Sequence, residues 1–275
     1  MGAKKTLCIQ DMSCIGRCSL TVISPVLSAK GIQCVPMPTA VLSTHYGGFG
    51  QVAQCDLTKF CFDSLEHFKN IGVNFDCVLS GFIANAQQAQ LVKQAFSYAK
   101  DAVKICDPVM ADNGKLYSSI TNDVVQAVKQ LCADSQIITP NTTEAAILLE
   151  KDYTQQLVAQ CEVEDMALQL VHRYGCSVVI TGAKLDDGRV VCCVAPKGTN
   201  QPQLVQCNYI PVHFPGTGDL FVATMTAFIL NGSNLAAAVE KACRFVEICV
   251  KNTWTEGTDT RHGVDVELNL KYLMD

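Results

Sequence analysis

The chain has 275 residues, 49% of them hydrophobic, and a formal net charge of −5 at pH 7. This length is enough for one large α/β domain with a substantial core. The negative net charge, without a Lys/Arg-rich run, argues against nucleic acid as a partner. No linker-like stretch or internal repeat interrupts the sequence, so we expect a single domain over residues 1–275.

The sequence predicts neither a signal peptide nor a membrane span. The apolar stretch at residues 6–9 is too short for the core of a signal peptide. The longest apolar stretch, residues 220–230, falls well short of the roughly 20 residues that a membrane span needs. The sixteen cysteines contain no C-x-x-C pair. We therefore expect a cytoplasmic protein whose buried thiols pack as small hydrophobic side chains.

Short β-branched runs alternate with longer stretches of helical period. This alternation predicts βαβ units and a mostly parallel sheet with helices on both faces. The predicted strands are residues 6–9, 34–42, 77–80, 103–107, 136–139, 177–181, 189–195 and 204–209. The predicted helices are residues 19–28, 86–100, 123–132, 142–150, 166–174, 218–230 and 235–251.

Unusual residues occur where the predicted strands end. They are Ser13, the loop at residues 43–50, Asp107, Asn141, Thr181 and the turn at residues 215–219. In open parallel sheets, ligands bind beyond the carboxyl ends of the strands. We therefore expect these residues to meet in one site.

The turn Pro215-Gly216-Thr217-Gly218-Asp219 precedes a long apolar helix. The first amides of a helix have no internal partners and lie at the positive end of the helix dipole, which suits a phosphoryl group. A carboxylate at Asp219 is placed to take a proton from an attacking alcohol. A plain helix start is an alternative that a lone G-x-G-D pattern fits equally well.

Two acidic residues follow other strands. Asp107 precedes Pro108, where a carboxylate often holds a cation, although Asp-Pro turns without a ligand are common. Asn141 and Glu144 have the spacing of a helix cap, and capping alone is the simpler interpretation. The functional interpretation places Glu144 near Mg²⁺ and phosphates.

The loop at residues 43–50 combines hydroxyls, glycines and aromatic rings with His45. It is either a mobile linker or the wall of a pocket for a flat ring. The remaining histidines show no paired spacing, so we expect no metal tetrad.

Segments along nearly the whole chain, taken together, resemble the pyridoxal kinases, a branch of the ribokinase-like superfamily. These segments are SCIGRCS (13–19), LSTH (42–45), LSGF (79–82), DPVM (107–110), TPN with Glu144 (139–144), VITG (179–182) and GTGD (216–219).

The resemblance implies a ribokinase-like α/β fold, a homodimer, and ATP with Mg²⁺ and a monovalent cation (K⁺ or Na⁺). It implies that Asp219 is the catalytic base and that the amides of Gly216, Thr217 and Gly218 form an anion hole. The implied substrate contacts are Ser13, His45, Tyr46, Phe82 and Asp219. The implied ATP region comprises Asp107, Asp112, Tyr117, Thr139, Asn141, Glu144, Thr181, Gly182, Gly216 and Gly218, with Asp107 and Glu144 at the metal.

The implied reaction is ATP-dependent phosphorylation of the hydroxymethyl group of pyridoxal, pyridoxine or pyridoxamine, giving the 5′-phosphate. Tyr46 and Phe82 depart from the threonine and tyrosine that the family often has beside the ring. A hydroxymethylpyrimidine kinase of thiamine synthesis, or a dual-specificity enzyme, is therefore an alternative, although those relatives commonly carry cysteine in place of Asp219.

Two further alternatives are a sugar or nucleoside kinase and a non-catalytic pyridoxal-binding protein. The first usually has several acidic residues near the N-terminus, where this chain offers Asp11 alone. The second has no need of Asp219, Asp107 and Glu144 together.

Overall fold

The computed structural model describes residues 2–152 and 157–274. The strands are β1 (Lys5–Ile15), β2 (Gln33–Thr44), β3 (Gln54–Asp56), β4 (Cys77–Ser80), β5 (Val103–Cys106), β6 (Ala111–Asp112), β7 (Lys115–Leu116), β8 (Ile137–Ile138), β9 (Ser177–Lys184), β10 (Val190–Ala195) and β11 (Gln203–Cys207). The helices are α1 (Leu20–Ala29), α2 (Thr58–Asn70), α3 (Ala86–Tyr98), α4 (Asn122–Asp134), α5 (Thr142–Leu148), α6 (Gln160–Tyr174), α7 (Thr217–Leu230), α8 (Leu235–Glu256) and α9 (Val266–Asn269). Short 3-10 turns cover Thr260–His262 and Leu270–Leu273.

The central sheet has nine strands in the order β11-β10-β9-β8-β5-β4-β1-β2-β3. Strands β9, β8, β5, β4, β1 and β2 run parallel to one another. Strands β10, β11 and β3 join the sheet through antiparallel pairs, with β11 and β3 at its two edges. The predicted α/β class with a mostly parallel sheet is confirmed. Because β1 pairs with β2 on one side and β4 on the other, the strand order reverses there, and ligands bind at such a reversal.

Two apolar clusters cover the two faces of the sheet. Helices α2 to α6 pack on one face, and α1, α7 and α8 pack on the other. Strand β4 shows the arrangement, since Val78 belongs to the first cluster and Leu79 to the second. Side chains alternate between faces along a strand, so a strand that is buried on both faces is a continuous apolar run.

Some elements differ from the sequence prediction. Strand β1 continues beyond the predicted residues 6–9, because it pairs with β2 as far as Ile15 through a register shift after Gln10. Helix α2 was missed because it buries only Thr58, Cys61 and Leu65. Strand β3, α9 and the 3-10 turns were also missed. No helix in the described parts of the chain is both long and apolar enough to cross a bilayer.

Replacing Leu79 by alanine should lower the free energy of unfolding by about 2–5 kcal/mol, because it opens a cavity in the middle of the sheet. Leu79 is 1% exposed. Urea unfolding followed by circular dichroism measures the change. The control is Leu268→Ala in α9, where the side chain is 60% exposed and a change within about 0.5 kcal/mol is expected. Equal effects of the two substitutions would contradict this packing.

Candidate active site

A cavity of about 720 Å³ lies at the carboxyl ends of the parallel strands. Every predicted site residue except Ser13 lines this cavity. The lining residues among them are His45, Tyr46, Phe82, Asp107, Asp112, Tyr117, Thr139, Asn141, Glu144, Thr181, Gly182, Gly216, Thr217, Gly218 and Asp219. The structure therefore brings the ends of separate predicted strands together.

The turn before α7 packs tightly against the loop that follows β1. Gly216 has φ +80°, and a Cβ atom there would lie 2.0 Å from the carbonyl oxygen of Arg17. Glycine is therefore required by this backbone contact as well as by the positive φ. Among the described residues, no side chain caps the start of α7. The first amides of the helix thus have no side-chain partner and lie at the cavity wall.

Asp219 lies in the first turn of α7, and its Oδ2 accepts a hydrogen bond from the Ser19 amide at 2.8 Å. Burial, together with the charges of Asp107 and Asp11, raises the pKa of Asp219 to about 8, although the hydrogen bond from the Ser19 amide acts to lower it. A carboxyl group with a pKa near the working pH is suited to general base catalysis.

Ser19 connects Asp219 to a second carboxyl group. Its hydroxyl donates to Asp11 Oδ1 at 2.7 Å, and its backbone has φ 52° and ψ −135°. Positive φ is uncommon in residues other than glycine and often marks a functional site. Asp11 is 5% exposed and lines the cavity. Neither Asp11 nor Ser19 is among the site residues that the sequence predicts.

Ser13, the predicted ring contact, is not among the residues that line the cavity. It is fully buried, and its hydroxyl donates to Asp11 Oδ2 at 3.4 Å. Cys18, in contrast, lines the cavity. Burial, and then the charge of Asp219, raises the pKa of Cys18 to about 12, so this thiol stays protonated at neutral pH.

Glu144 both caps helix α5 and lines the cavity, although the sequence presented these two roles as alternatives. Asn141 and Glu144 form a capping box at the start of α5. Glu144 is 3% exposed and accepts hydrogen bonds from the amides of Asn141 (2.9 Å), Met110 (2.9 Å) and Ala111 (3.4 Å). Its carboxylate therefore holds the end of the Asp107 loop against α5.

Asp107 and Glu144 place two acidic groups close together. Burial raises the pKa of Asp107 to about 6, even though Thr139 donates to its Oδ1 at 2.8 Å. Burial and the charge of Asp107 raise the pKa of Glu144. None of the ion pairs among residues 2–152 and 157–274 involves Asp107, Glu144 or Asp219. Oxygen donors with uncompensated negative charge are the ligands that Mg²⁺ prefers.

Residues 111–116 form a hairpin, and its residues Asp112 and Asn113 line the cavity. Asn113 (φ 50°) and Gly114 (φ 77°) make its two-residue turn, as a type I′ turn requires. The Gly114 amide donates to Thr143 Oγ1 at 3.0 Å, which anchors the hairpin to α5. Asp112 and Tyr117, two residues of the predicted ATP region, lie on and just after this hairpin.

The loop after β2 also lines the cavity, through His45, Tyr46 and Gly47. His45 Nδ1 accepts from the Gly47 amide at 2.9 Å, and Nε2 lies 2.7 Å from the Arg261 carbonyl. Both ring nitrogens of His45 are thus engaged in contacts with the backbone. The Tyr46 hydroxyl donates to Gln54, and Phe82 packs against the core.

The profile of the phosphomethylpyrimidine kinase family matches residues 22–264. The chain belongs to this family. It is 31% identical to a Bacteroides thetaiotaomicron protein assigned as a phosphomethylpyrimidine kinase and crystallised with pyridoxal; the match covers 98% of this chain and 96% of that one, with a TM-score of 0.92.

Two further members of this kinase group are named for vitamin B6. The pyridoxal kinase of Leishmania donovani, solved with ADP and pyridoxine, is 26% identical, with coverage of 98% and 95% and a TM-score of 0.85. A Bordetella avium pyridoxine/pyridoxal/pyridoxamine kinase is 27% identical over 86% of this chain and 81% of its own. The ribokinase-like fold, the kinase class and the resemblance to pyridoxal kinases are confirmed.

Replacing Gly216 by alanine should disrupt this kinase site and lower the free energy of unfolding by about 2 kcal/mol or more, because the Cβ meets backbone at positive φ. Gly218 is the matched control. A Cβ there meets nothing within 4 Å, and alanine favours a helix. Thermal unfolding of both variants measures the difference. Similar melting temperatures for the two variants would contradict the contact with Arg17.

Proposed function

We propose that this kinase transfers the γ-phosphoryl group of ATP to the hydroxymethyl oxygen of pyridoxal, pyridoxine or pyridoxamine, with Asp219 as the base. The observation that carries this assignment is the position of Asp219. It lies at the uncapped start of α7, in a cavity whose lining includes the aromatic rings of Tyr46 and Phe82 and the carboxyl groups of Asp107 and Glu144. The pyridoxal and the ADP with pyridoxine in two related structures support these ligand classes.

In the proposed reaction, the substrate hydroxyl gives its proton to Asp219 as its oxygen attacks the γ-phosphorus. The amides of Gly216, Thr217 and Gly218 donate to the transferring group and offset its negative charge. The Ser19 amide holds Asp219 in place. Positioning and electrostatics supply most of the rate enhancement in phosphoryl transfer.

Mg²⁺ would neutralise charge across the phosphates when bound with ATP. Asp107 is the proposed ligand, since Thr139 occupies only its Oδ1. Glu144 contributes its negative charge without coordinating the ion, because both of its oxygens already accept hydrogen bonds from backbone N–H groups. A monovalent cation, K⁺ or Na⁺, and a homodimeric assembly are also proposed, on the family resemblance.

The rate at low substrate concentration should rise with pH through about 8, because Asp219 accepts a proton only when it is ionised and its pKa is raised to about 8. Asp219→Asn should lower kcat by about 10²- to 10⁴-fold and remove this dependence. ADP release measures the rate, and fluorescent ATP-analogue binding is the control that should change little. Near-normal turnover by Asp219→Asn would refute the role of Asp219.

Turnover of pyridoxal, pyridoxine and pyridoxamine should exceed turnover of hydroxymethylpyrimidine and ribose in parallel ADP-release assays with Mg-ATP. The family profile itself is named for a pyrimidine kinase, so the pyrimidine is the second candidate substrate. Turnover of the pyrimidine alone would replace the vitamer assignment and keep the mechanism. Turnover of ribose alone would contradict both.

A further inference from the structure

Three cysteines that the proposed reaction does not use form a close cluster. Their Sγ atoms are separated by 3.8 Å (Cys192 to Cys207), 3.1 Å (Cys207 to Cys243) and 3.5 Å (Cys243 to Cys192). All three side chains line the cavity. Among the described residues, this trio is the one group of three or more His, Cys, Asp or Glu ligand atoms within 4.8 Å of one another.

The fold fixes this arrangement through three separate elements. Cys192 on β10 pairs with Val205, and Cys207 on β11 pairs with Val190. The two cysteines are therefore diagonal neighbours on the same face of an antiparallel pair. Helix α8 covers this face and brings in Cys243. The three sulfurs are held by backbone register and helix packing rather than by a flexible loop.

The distances fit a metal ion. Sulfur ligands that lie about 2.3 Å from a tetrahedral ion are about 3.8 Å from one another. The observed separations need to widen by less than about 0.7 Å to reach this value. Thiolate ligands favour soft ions such as Zn²⁺ and Cu⁺, whereas the oxygen donors at Asp107 suit Mg²⁺. The thiol cluster and the carboxyl groups that line the cavity thus differ in the metal that they prefer.

We propose that Cys192, Cys207 and Cys243 form a three-thiolate site for a soft d¹⁰ metal ion, and that an ion bound there hinders nucleotide binding in the shared cavity. Binding is not a redox reaction: each thiol releases its proton to solvent and its sulfur donates an electron pair to the ion. The fourth coordination position faces the cavity, where water or another ligand completes the tetrahedron. The effect on nucleotide binding rests on the proposed function, whereas the metal site does not.

Cd²⁺ is a suitable probe, because its thiolate complexes absorb in the ultraviolet where aqueous Cd²⁺ does not. The exposed thiols are first removed with Cys14→Ser, Cys55→Ser and Cys161→Ser. Titration of this reduced background protein should give one tight Cd²⁺ per chain. Cys207→Ser and Cys243→Ala should each weaken binding by about 100-fold or more, since each removes one of three ligands. Cys249→Ala, also in α8 and buried, is the matched control and should bind as the background does.

A ¹¹³Cd NMR spectrum of the background protein provides a test that does not depend on the triad variants being folded. One resonance in the range of three-thiolate coordination is expected. Absence of both the absorption and this resonance, or binding that the triad variants leave unchanged, would overturn the metal site and leave the thiols as packing groups.

The nucleotide effect is tested by displacement of a fluorescent ADP analogue in excess Mg²⁺. One equivalent of Cd²⁺ should weaken its binding by about 10-fold or more in the background protein and in Cys249→Ala, but not in Cys243→Ala. Unchanged analogue affinity in the Cd²⁺-loaded protein would overturn the nucleotide effect. Failure of the metal-free protein to bind the analogue would instead contradict the proposed kinase function.

Discussion

The close approach of the Gly216 backbone to Arg17 is the constraint on which the site depends. A Cβ at Gly216 would meet the Arg17 carbonyl oxygen at 2.0 Å, and a Cβ at Gly263 would meet the same oxygen at 2.7 Å. Three segments from distant parts of the chain thus converge on one carbonyl group. The Arg17 amide also donates to His262, and its side chain pairs with Asp265 at 2.7 Å. Backbone packing therefore positions Asp219, the candidate catalytic base. This position brings its carboxylate within hydrogen-bonding distance of the Ser19 amide.

This convergence has an electrostatic consequence. Asp11, Asp107, Glu144 and Asp219 lie around one cavity, and burial raises the pKa of each. Burying a carboxylate without a positive partner is costly, so such groups favour either a proton or a cation. A site of this kind is adapted to a substrate that arrives with metal ions and that releases a proton. The fold tolerates the cost because two apolar clusters stabilise the sheet around it.

The sequence predicted the elements whose signal is local. Strand β4 is an apolar run with the bounds that were predicted, and the Asn141 cap has its own signature. The hairpin at residues 111–116 was missed although Asn113-Gly114 is a strong turn signal. Asp11 was missed for another reason: the register shift that lets β1 continue past Gln10 is set by pairing with β2, which the residues of β1 do not encode alone. From the sequence, the glycine at 216 is explained by close approach of the backbone to a ligand. The structure adds a second reason, since a Cβ atom there would clash with the backbone of Arg17, some 200 positions away in the chain.

The cluster of Cys192, Cys207 and Cys243 is a further feature that the sequence alone did not predict. Each of Cys192, Cys207 and Cys243 lies in an apolar segment, and burial as a small hydrophobic side chain was a sufficient explanation for each one alone. Metal sites are recognised in sequences by short spacings such as C-x-x-C, which place two ligands on one turn. Here each ligand comes from a different element, so no spacing exists to be recognised. Strand register and helix packing create the cluster, and chemistry that arises in this way becomes visible only once the tertiary structure is known.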